Sequence, residues 1–276
     1  VLCRGNVKRG PGRRAMEARM RTSFLAGLLF ALCLLPGGCT VPSSREANPQ
    51  ERAVLEDFRQ VAYGADRPVL GDDGTPRKRG DHLAKWEIPI AFALIDGAGY
   101  EKAARDHFAE VAQLTGLEIR EAPRDSANLL VFFAEDPFAA ARRYRGLYAH
   151  RIADPRSFDE LLARMEQSAT CFGLLWGGWP SGRSIAFSVV FIRTGLGART
   201  VQGCLVQETT QVLGLLHDLD PAADSVFSDS GRQVYLTPND RLILQLLYDP
   251  RLKPGMGWAE AEPLVRAALR DLKAKG

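Results

Sequence analysis

The chain has 276 residues, 46% of them hydrophobic and 25% charged, with a formal net charge of +3. That composition excludes fibrous and disordered classes and suits one sizeable globular domain or two small ones. The positive excess sits at the start, where Arg4, Lys8, Arg9, Arg13, Arg14, Arg19 and Arg21 face the single acid Glu17 and leave the remainder at −3. The basic balance is therefore no sign of a nucleic-acid partner, and no later basic patch with interleaved aromatics supplies one.

Phe24 to Leu35 (FLAGLLFALCLL) is apolar throughout but, at twelve residues, falls short of the roughly 20 that a membrane-spanning helix needs. Behind the basic stretch it reads as the apolar region of a signal peptide. Met16 and Met20 lie inside the basic stretch, so the first residues read either as leader or as an over-extended start. Leu35-Pro36-Gly37-Gly38-Cys39 then resembles a lipobox, with Pro36 where such motifs carry leucine. The resemblance makes residues 1–39 a signal peptide and Cys39 a lipid anchor to the membrane, while ordinary signal cleavage at the small residues is the other reading. Thr40 after the cysteine implies the outer membrane, on the periplasmic side of the cell envelope. Without the anchor the protein is expected in the periplasm.

Of five cysteines, Cys3, Cys33 and Cys39 belong to or precede the leader and its end, which leaves Cys171 and Cys204. In an oxidising compartment such a pair is expected to form a disulfide, with free thiols as the alternative.

Residues 40–50 (TVPSSREANPQ) are polar and aperiodic and fit a flexible tether. Folding is expected from residue 51, and a single α+β domain over 51–276 is the simplest partition, since no repeat or compositional break interrupts it. Val54, Phe58 and Val61 predict a helix over 51–63. Trp86 to Ile95 reads as a strand, and Ala104, Phe108, Val111 and Ala112 put a helix over 100–115 that Gly116 stops. His107 on that helix reads as a surface or half-buried residue. Leu117–Glu121 and Asn128–Phe133 are short strands; Pro137–Arg145 and Ser157–Gln167 are helices, the second capped by Ser157. Gly173–Pro180 is a turn or edge segment, and Arg183–Arg193 is the clearest strand in the chain. A helix starts near Gly203, another is capped by Thr237 with Pro238 in its first turn, and a last amphipathic helix covers Trp258–Leu272.

The chemistry-bearing segment is Gln207-Glu208-Thr209-Thr210-Gln211-Val212-Leu213-Gly214-Leu215-Leu216-His217-Asp218. At about 100° per residue, Leu205, Val206, Val212, Leu213 and Leu216 share one helix side and Gln207, Gln211 and Gly214 the other. A plain amphipathic helix with solvated glutamines has the same wheel. The spacing resembles the metzincin signature H-E-x-x-H-x-x-G-x-x-H, with Glu208, Gly214 and His217 in register and Gln207 and Gln211 where two histidines belong. Downstream, LTPNDRLILQLLYD (236–249) resembles the ending of matrixin-type catalytic domains through Leu236, Asp240, Leu244, Gln245, Leu247 and Tyr248. Phe227 stands where the methionine of the Met-turn belongs. A second resemblance is to a family of proteobacterial lipoproteins classed as a domain of unknown function. Its marks are Glu208-Thr209-Thr210-Gln211-Val212-Leu213-Gly214-Leu215 and Asp249-Pro250-Arg251-Leu252-Lys253-Pro254-Gly255-Met256.

The first resemblance implies a zincin-like mixed sheet, an active-site-like helix and a C-terminal helical subdomain. It also implies a dismantled metal site, because primary amides are poor zinc ligands beside imidazole, thiolate or carboxylate. His217 is left as the weak metal candidate, and no cofactor is expected. On this reading the chain is a non-catalytic pseudopeptidase whose cleft, formed by Gln207, Glu208, Gln211, His217 and Asp218, binds an extended peptide or an envelope protein. The alternative is an active metal-dependent peptidase or hydrolase, with Glu208 as general base and zinc held by carboxylates such as Asp218, Asp220 or Asp224. The blandest reading is a structural lipoprotein whose motif helix carries no function.

Overall fold

The computed structural model describes residues 48–64, 68–70, 76–78, 82–152, 154–177, 184–228 and 230–275. The leader, Cys39, residues 40–47 of the expected tether and 178–183 lie outside the described residues. Among the described residues no helix is long and apolar enough to cross a membrane.

The first helix, α1 (Pro49–Tyr63), begins inside the stretch read as tether, because Asn48 caps it and exchanges hydrogen bonds with Glu51 in a capping box. A short antiparallel pair follows, β1 (Pro68–Leu70) and β2 (Pro76–Lys78). The expected strand over 86–95 is two strands, β3 (Lys85–Trp86) and β4 (Ile90–Ile95), separated at Pro89, which has no amide proton to give a ladder. Next come α2 (Glu101–Thr115), closed by Gly116 at φ +71°, then β5 (Ile119–Glu121) and β6 (Leu129–Ala134). Two helices, α3 (Pro137–Arg143) and α4 (Pro155–Glu166), lead to β7 (Phe172–Gly177) and β8 (Ser184–Arg193). Asp154, not Ser157, caps α4: its carboxylate accepts from the Arg156 amide and from the Ser157 hydroxyl. The remaining helices are α5 (Ala198–Gln211), α6 (Pro238–Leu247) and α7 (Trp258–Lys275). The motif helix α5 starts five residues before the expected Gly203, since Gly197 at its N-terminus offers no side-chain cap to mark it.

The main sheet is six-stranded, with β5, β4, β6 and β8 side by side and parallel, and β7 antiparallel on the outer side of β8. β3 pairs with the first residues of β8 on the side away from β7, since Ile185 faces both Trp86 and Gly177. Both faces are covered. Leu129, Val131 and Phe133 of β6 join the core under α1, α2, α5, α6 and α7, while Leu130 and Phe132 join the core under α3 and α4. That is why NLLVFF and SVVFI read as unbroken apolar runs. Helices on both faces of a largely parallel sheet make this a mixed α/β fold, where the expectation was a single α+β domain.

The tail motif has a structural role in this frame. Gly255 N donates to Leu83 O at 2.8 Å and Leu83 N to Met256 O at 2.9 Å, docking the 249–256 loop beside β3. Lys85, buried at 7% exposure, donates to the carbonyls of Leu247, Asp249 and Leu252 at 3.2, 3.3 and 2.9 Å. Burial pushes its ammonium down to about 8, with Lys253 adding to the effect. Asp249 grips Arg251 at 2.7 Å, and Arg251 reaches Asp271 of α7 at 2.8 Å.

Candidate functional site

The helix α5 lies against the sheet with Val201, Leu205 and Val206 buried. Thr209 and Thr210 are buried as well, which a helix tolerates because their hydroxyls donate back to the carbonyls of Leu205 and Val206. With its proton given to Val206, the Thr210 oxygen accepts from Nε2 of His107 on α2 at 3.2 Å, which assigns the neutral Nε2–H tautomer. His107 is 5% exposed, not a surface or half-buried residue, and burial pushes its imidazole down to about 4. Its spacing of three and four from Ala104 and Val111 carried that signal.

The end of α5 is held from outside. Trp86 donates its indole Nε1–H to Val212 O at 2.9 Å, and Tyr248 donates its hydroxyl to Leu213 O at 2.8 Å, so the carbonyls of the first two residues past the helix are satisfied. Gly214 then adopts φ +123°, and a Cβ there would sit 1.9 Å from Ala84 O. Only glycine fits. The chain that leaves Gly214 is fixed by α1, where Val61 O accepts from His217 N at 3.2 Å and Gln60 donates to Asp218 O at 2.8 Å.

A cavity of about 770 Å³ opens where α5 meets β7. Gln207, Glu208 and Gln211 form its α5 side together with Asp218; Phe172 to Leu175 of β7, Leu161, Arg164 and Met165 of α4, and Gln233 and Val234 complete the wall. Gln211 donates to Asp218 Oδ1 at 2.6 Å. Glu208, 4% exposed, lies beneath Gly173: a Cβ on Gly173 would be 3.7 Å from Glu208 Oε2 and 2.6 Å from a methyl of Val212. The strand can approach the helix so closely only because that residue lacks a side chain.

His217 is placed differently from its motif neighbours. It is fully buried and is not among the cavity-lining residues; its Cγ would be 3.3 Å from a Cβ built on Gly64 at the end of α1. Asp220 and Asp224 are exposed, the first accepting from Ala222 N and the second from the Gln233 amide, and neither lines the cavity. Phe227 is buried in the larger core, and its turn is tied to Asp240, whose carboxylate accepts from Ser225 Oγ, Val226 N and Thr237 N at 2.6, 3.1 and 2.8 Å. The residues at the motif positions do not fit a catalytic zinc. Two are neutral amides, one of them bonded to Asp218, and the one imidazole is buried and is not among the cavity-lining residues. Among the described residues no three His, Cys, Asp or Glu side chains come together to hold a metal ion.

The Cys171–Cys204 disulfide forms, with Cα atoms 5.9 Å apart, and joins the residue before β7 to the middle of α5 in the wall of the same cavity. The four β7 residues in the wall point to opposite faces of the sheet, Phe172 and Leu174 toward the α3–α4 layer and Leu175, in step with Gly173, toward α5. The cavity therefore runs along the outer edge of β7. Among the described residues β7 pairs with β8 only; β1 comes near it without pairing.

No curated protein matches the chain, and the family comparison carries no link to metallopeptidases. The family described as Protein of unknown function (DUF2927) matches residues 52–267, a span that holds nearly all of the described fold and both motifs of the lipoprotein resemblance, and the chain belongs to that family.

Proposed function

We propose that this chain is an exported, lipid-anchored protein of the cell envelope that binds an extended peptide by strand addition along the outer edge of β7, without hydrolysing it. The single observation that carries the reading is the cavity along that edge, since residues from both faces of β7 line it and the strand's outer backbone groups have no ladder partner among the described residues. An unpaired edge is a template for another chain, and strand addition to an exposed sheet edge is one established way of recognising an extended peptide through its main chain. The zincin-like reading draws support from the antiparallel edge strand lying over Glu208, and from a buried turn and a capped helix following the motif. Two features depart from it, the helices α3 and α4 over the second face of the sheet and the burial of His217 away from the cavity. The amides at 207 and 211 remove the basis for a zinc-activated water, which leaves binding as the activity the site can support.

The test is selection from a library of random ten-residue peptides on the immobilised protein, followed by hydrogen exchange and backbone N-methylation of the enriched sequences. Enriched peptides are expected to slow amide exchange at 172–177 and to lose affinity when alternate amides are methylated. Enrichment that leaves 172–177 unprotected would sink the reading. So would stoichiometric zinc in protein purified without added metal, together with cleavage of the enriched peptides.

A further inference from the structure

Both cysteines of the disulfide line the cavity, and the bond between them is the covalent tie between the start of the edge strand and α5. Its two ends differ. Cys204 is half-buried on α5, in one stripe with Thr200, Gly203, Gln207 and Gln211, all of which line the cavity. Cys171 is 6% exposed, and its Sγ accepts a hydrogen bond from the backbone amide of Arg193 on β8 at 3.2 Å. Such a donor stabilises negative charge on the sulfur that receives it. In thiol–disulfide exchange the sulfur within reach is attacked, and the sulfur that better carries negative charge leaves. The groove therefore presents Cys204 to a reductant and holds Cys171 as the leaving group.

We propose that the Cys171–Cys204 disulfide is a redox gate on the peptide groove, opened by a dithiol that enters through the groove; the proposal rests on the strand-addition reading above. One thiolate of the dithiol attacks Cys204 Sγ and forms a new S–S bond to it. The Cys171–Cys204 bond breaks, and its electron pair goes to Cys171 Sγ beside the Arg193 amide. The second thiolate then attacks the dithiol's own sulfur in the mixed disulfide and expels Cys204. The dithiol ends oxidised to a disulfide, and its two protons end on the two reduced cysteines. The start of β7 is then no longer tied to α5, so the edge loses the spacing against which a peptide strand docks. A docked peptide covers Cys204, and by linkage peptide binding and reduction oppose each other.

Dithiothreitol tests this on the folded full-length chain, with the freed cysteines alkylated and counted on the tryptic peptides that hold residues 171 and 204. The reduction rate is expected to rise in proportion to dithiothreitol and to exceed the rate of global unfolding at least about tenfold. Helical side chains lean toward the N-terminus, so residue 207 stands over Cys204. Gln207→Trp should slow reduction and Gln207→Ala should not, both checked for folding by circular dichroism. The reduced protein should bind the ten-residue peptides enriched by the oxidised one at least about tenfold more weakly. A rate capped at that of unfolding, or one that Gln207→Trp leaves unchanged, overturns the proposal. If peptides are enriched and bind the reduced protein equally well, strand addition stands and the gate falls. If the reduction kinetics are as expected but no peptide is enriched, the entry of the reductant at Cys204 stands and strand addition falls.

Discussion

The side-chain amide of Gln211 donates a 2.6 Å hydrogen bond to the carboxylate of Asp218, so position 218 stands beside the second ligand position of the motif. A histidine introduced at 211 would meet Asp218 first. The variant with Gln207→His and Gln211→His is expected to bind zinc through two imidazoles and that carboxylate, a donor set that zinc accepts. Calorimetric titration with zinc checks this once Asp218→Ala or His217→Ala is added to the double variant. Asp218→Ala should weaken zinc binding by at least the roughly 10- to 100-fold that losing even a supporting outer-shell partner costs, and His217→Ala should change it little. The opposite ranking would mean that the chain after Gly214 can turn back as in metzincins.

Gly214→Ala is expected to destabilise the protein severely. Two causes coincide there, the left-handed φ of +123° and the 1.9 Å approach of a Cβ to the Ala84 carbonyl, which is backbone and cannot swing aside. A cost of about 4 kcal/mol or more follows, in the range reserved for strained or overpacked positions. Urea denaturation reads it directly. Gly116→Ala is the comparison, since its φ of +71° is also left-handed but its Cβ would meet nothing within 4 Å. Its cost should be nearer 1 kcal/mol.

Much of the frame is legible along the chain where local signals act alone. The runs 129–133 and 184–193 announce strands buried on both faces, and Thr237-Pro238 with Asp240 announces a capped helix. Asp154 directly before Pro155 carries the same kind of local cap signal for α4, and it outranks Ser157 three residues on. Legibility fails where no such signal exists or where the cause is distant: a glycine at 197 leaves the start of α5 unmarked. The site divides in the same way. The i, i+4 spacing puts Gln207 and Gln211 on one side of a helix, and both line the cavity. The direction of the chain at His217 depends instead on Val61, and at Asp218 on Gln60, 158 residues upstream, and on Ala84 forbidding any residue but glycine at 214. No local pattern carries that information.

His107 makes stability depend on pH. Its folded pKa, pushed down to about 4 by burial, lies below its ordinary value of 6.5, so between these two values the unfolded chain binds the extra proton. The contribution is therefore fully present above pH 6.5 and is lost as pH falls toward 4. At about 1.4 kcal/mol per pH unit the loss amounts to at most roughly 3.5 kcal/mol. Thermal unfolding of the wild type and of His107→Leu across that range should show the wild type losing more stability on acidification. Parallel curves would mean that His107 is already neutral in the unfolded chain over this range, or is protonated in the fold.

Replacing both disulfide cysteines should weaken the cavity wall before it weakens the core. The bond spans 33 residues of sequence, for which the loss of the cross-link costs about 3–4 kcal/mol in the chain-entropy account. Its two ends hold different elements, Cys171 at the start of β7 and Cys204 in α5, while Gly173 is the next contact between them at Val212. Without the bond, residues 168 and 169 are still held by their amides donating to Met165 O at 3.0 and 2.7 Å, and residue 171 by the amide of Arg193, which donates to Cys171 Sγ at 3.2 Å and would find a serine oxygen in its place. In Cys171→Ser with Cys204→Ser, the urea midpoint should fall and amide exchange at 168–175 should accelerate more than in β6, which is paired on both sides by β4 and β8. A uniform acceleration would place the disulfide's effect on global unfolding alone. A selective one makes it the clamp that sets the spacing between the edge strand and Glu208, and peptide affinity should then fall in the same variant.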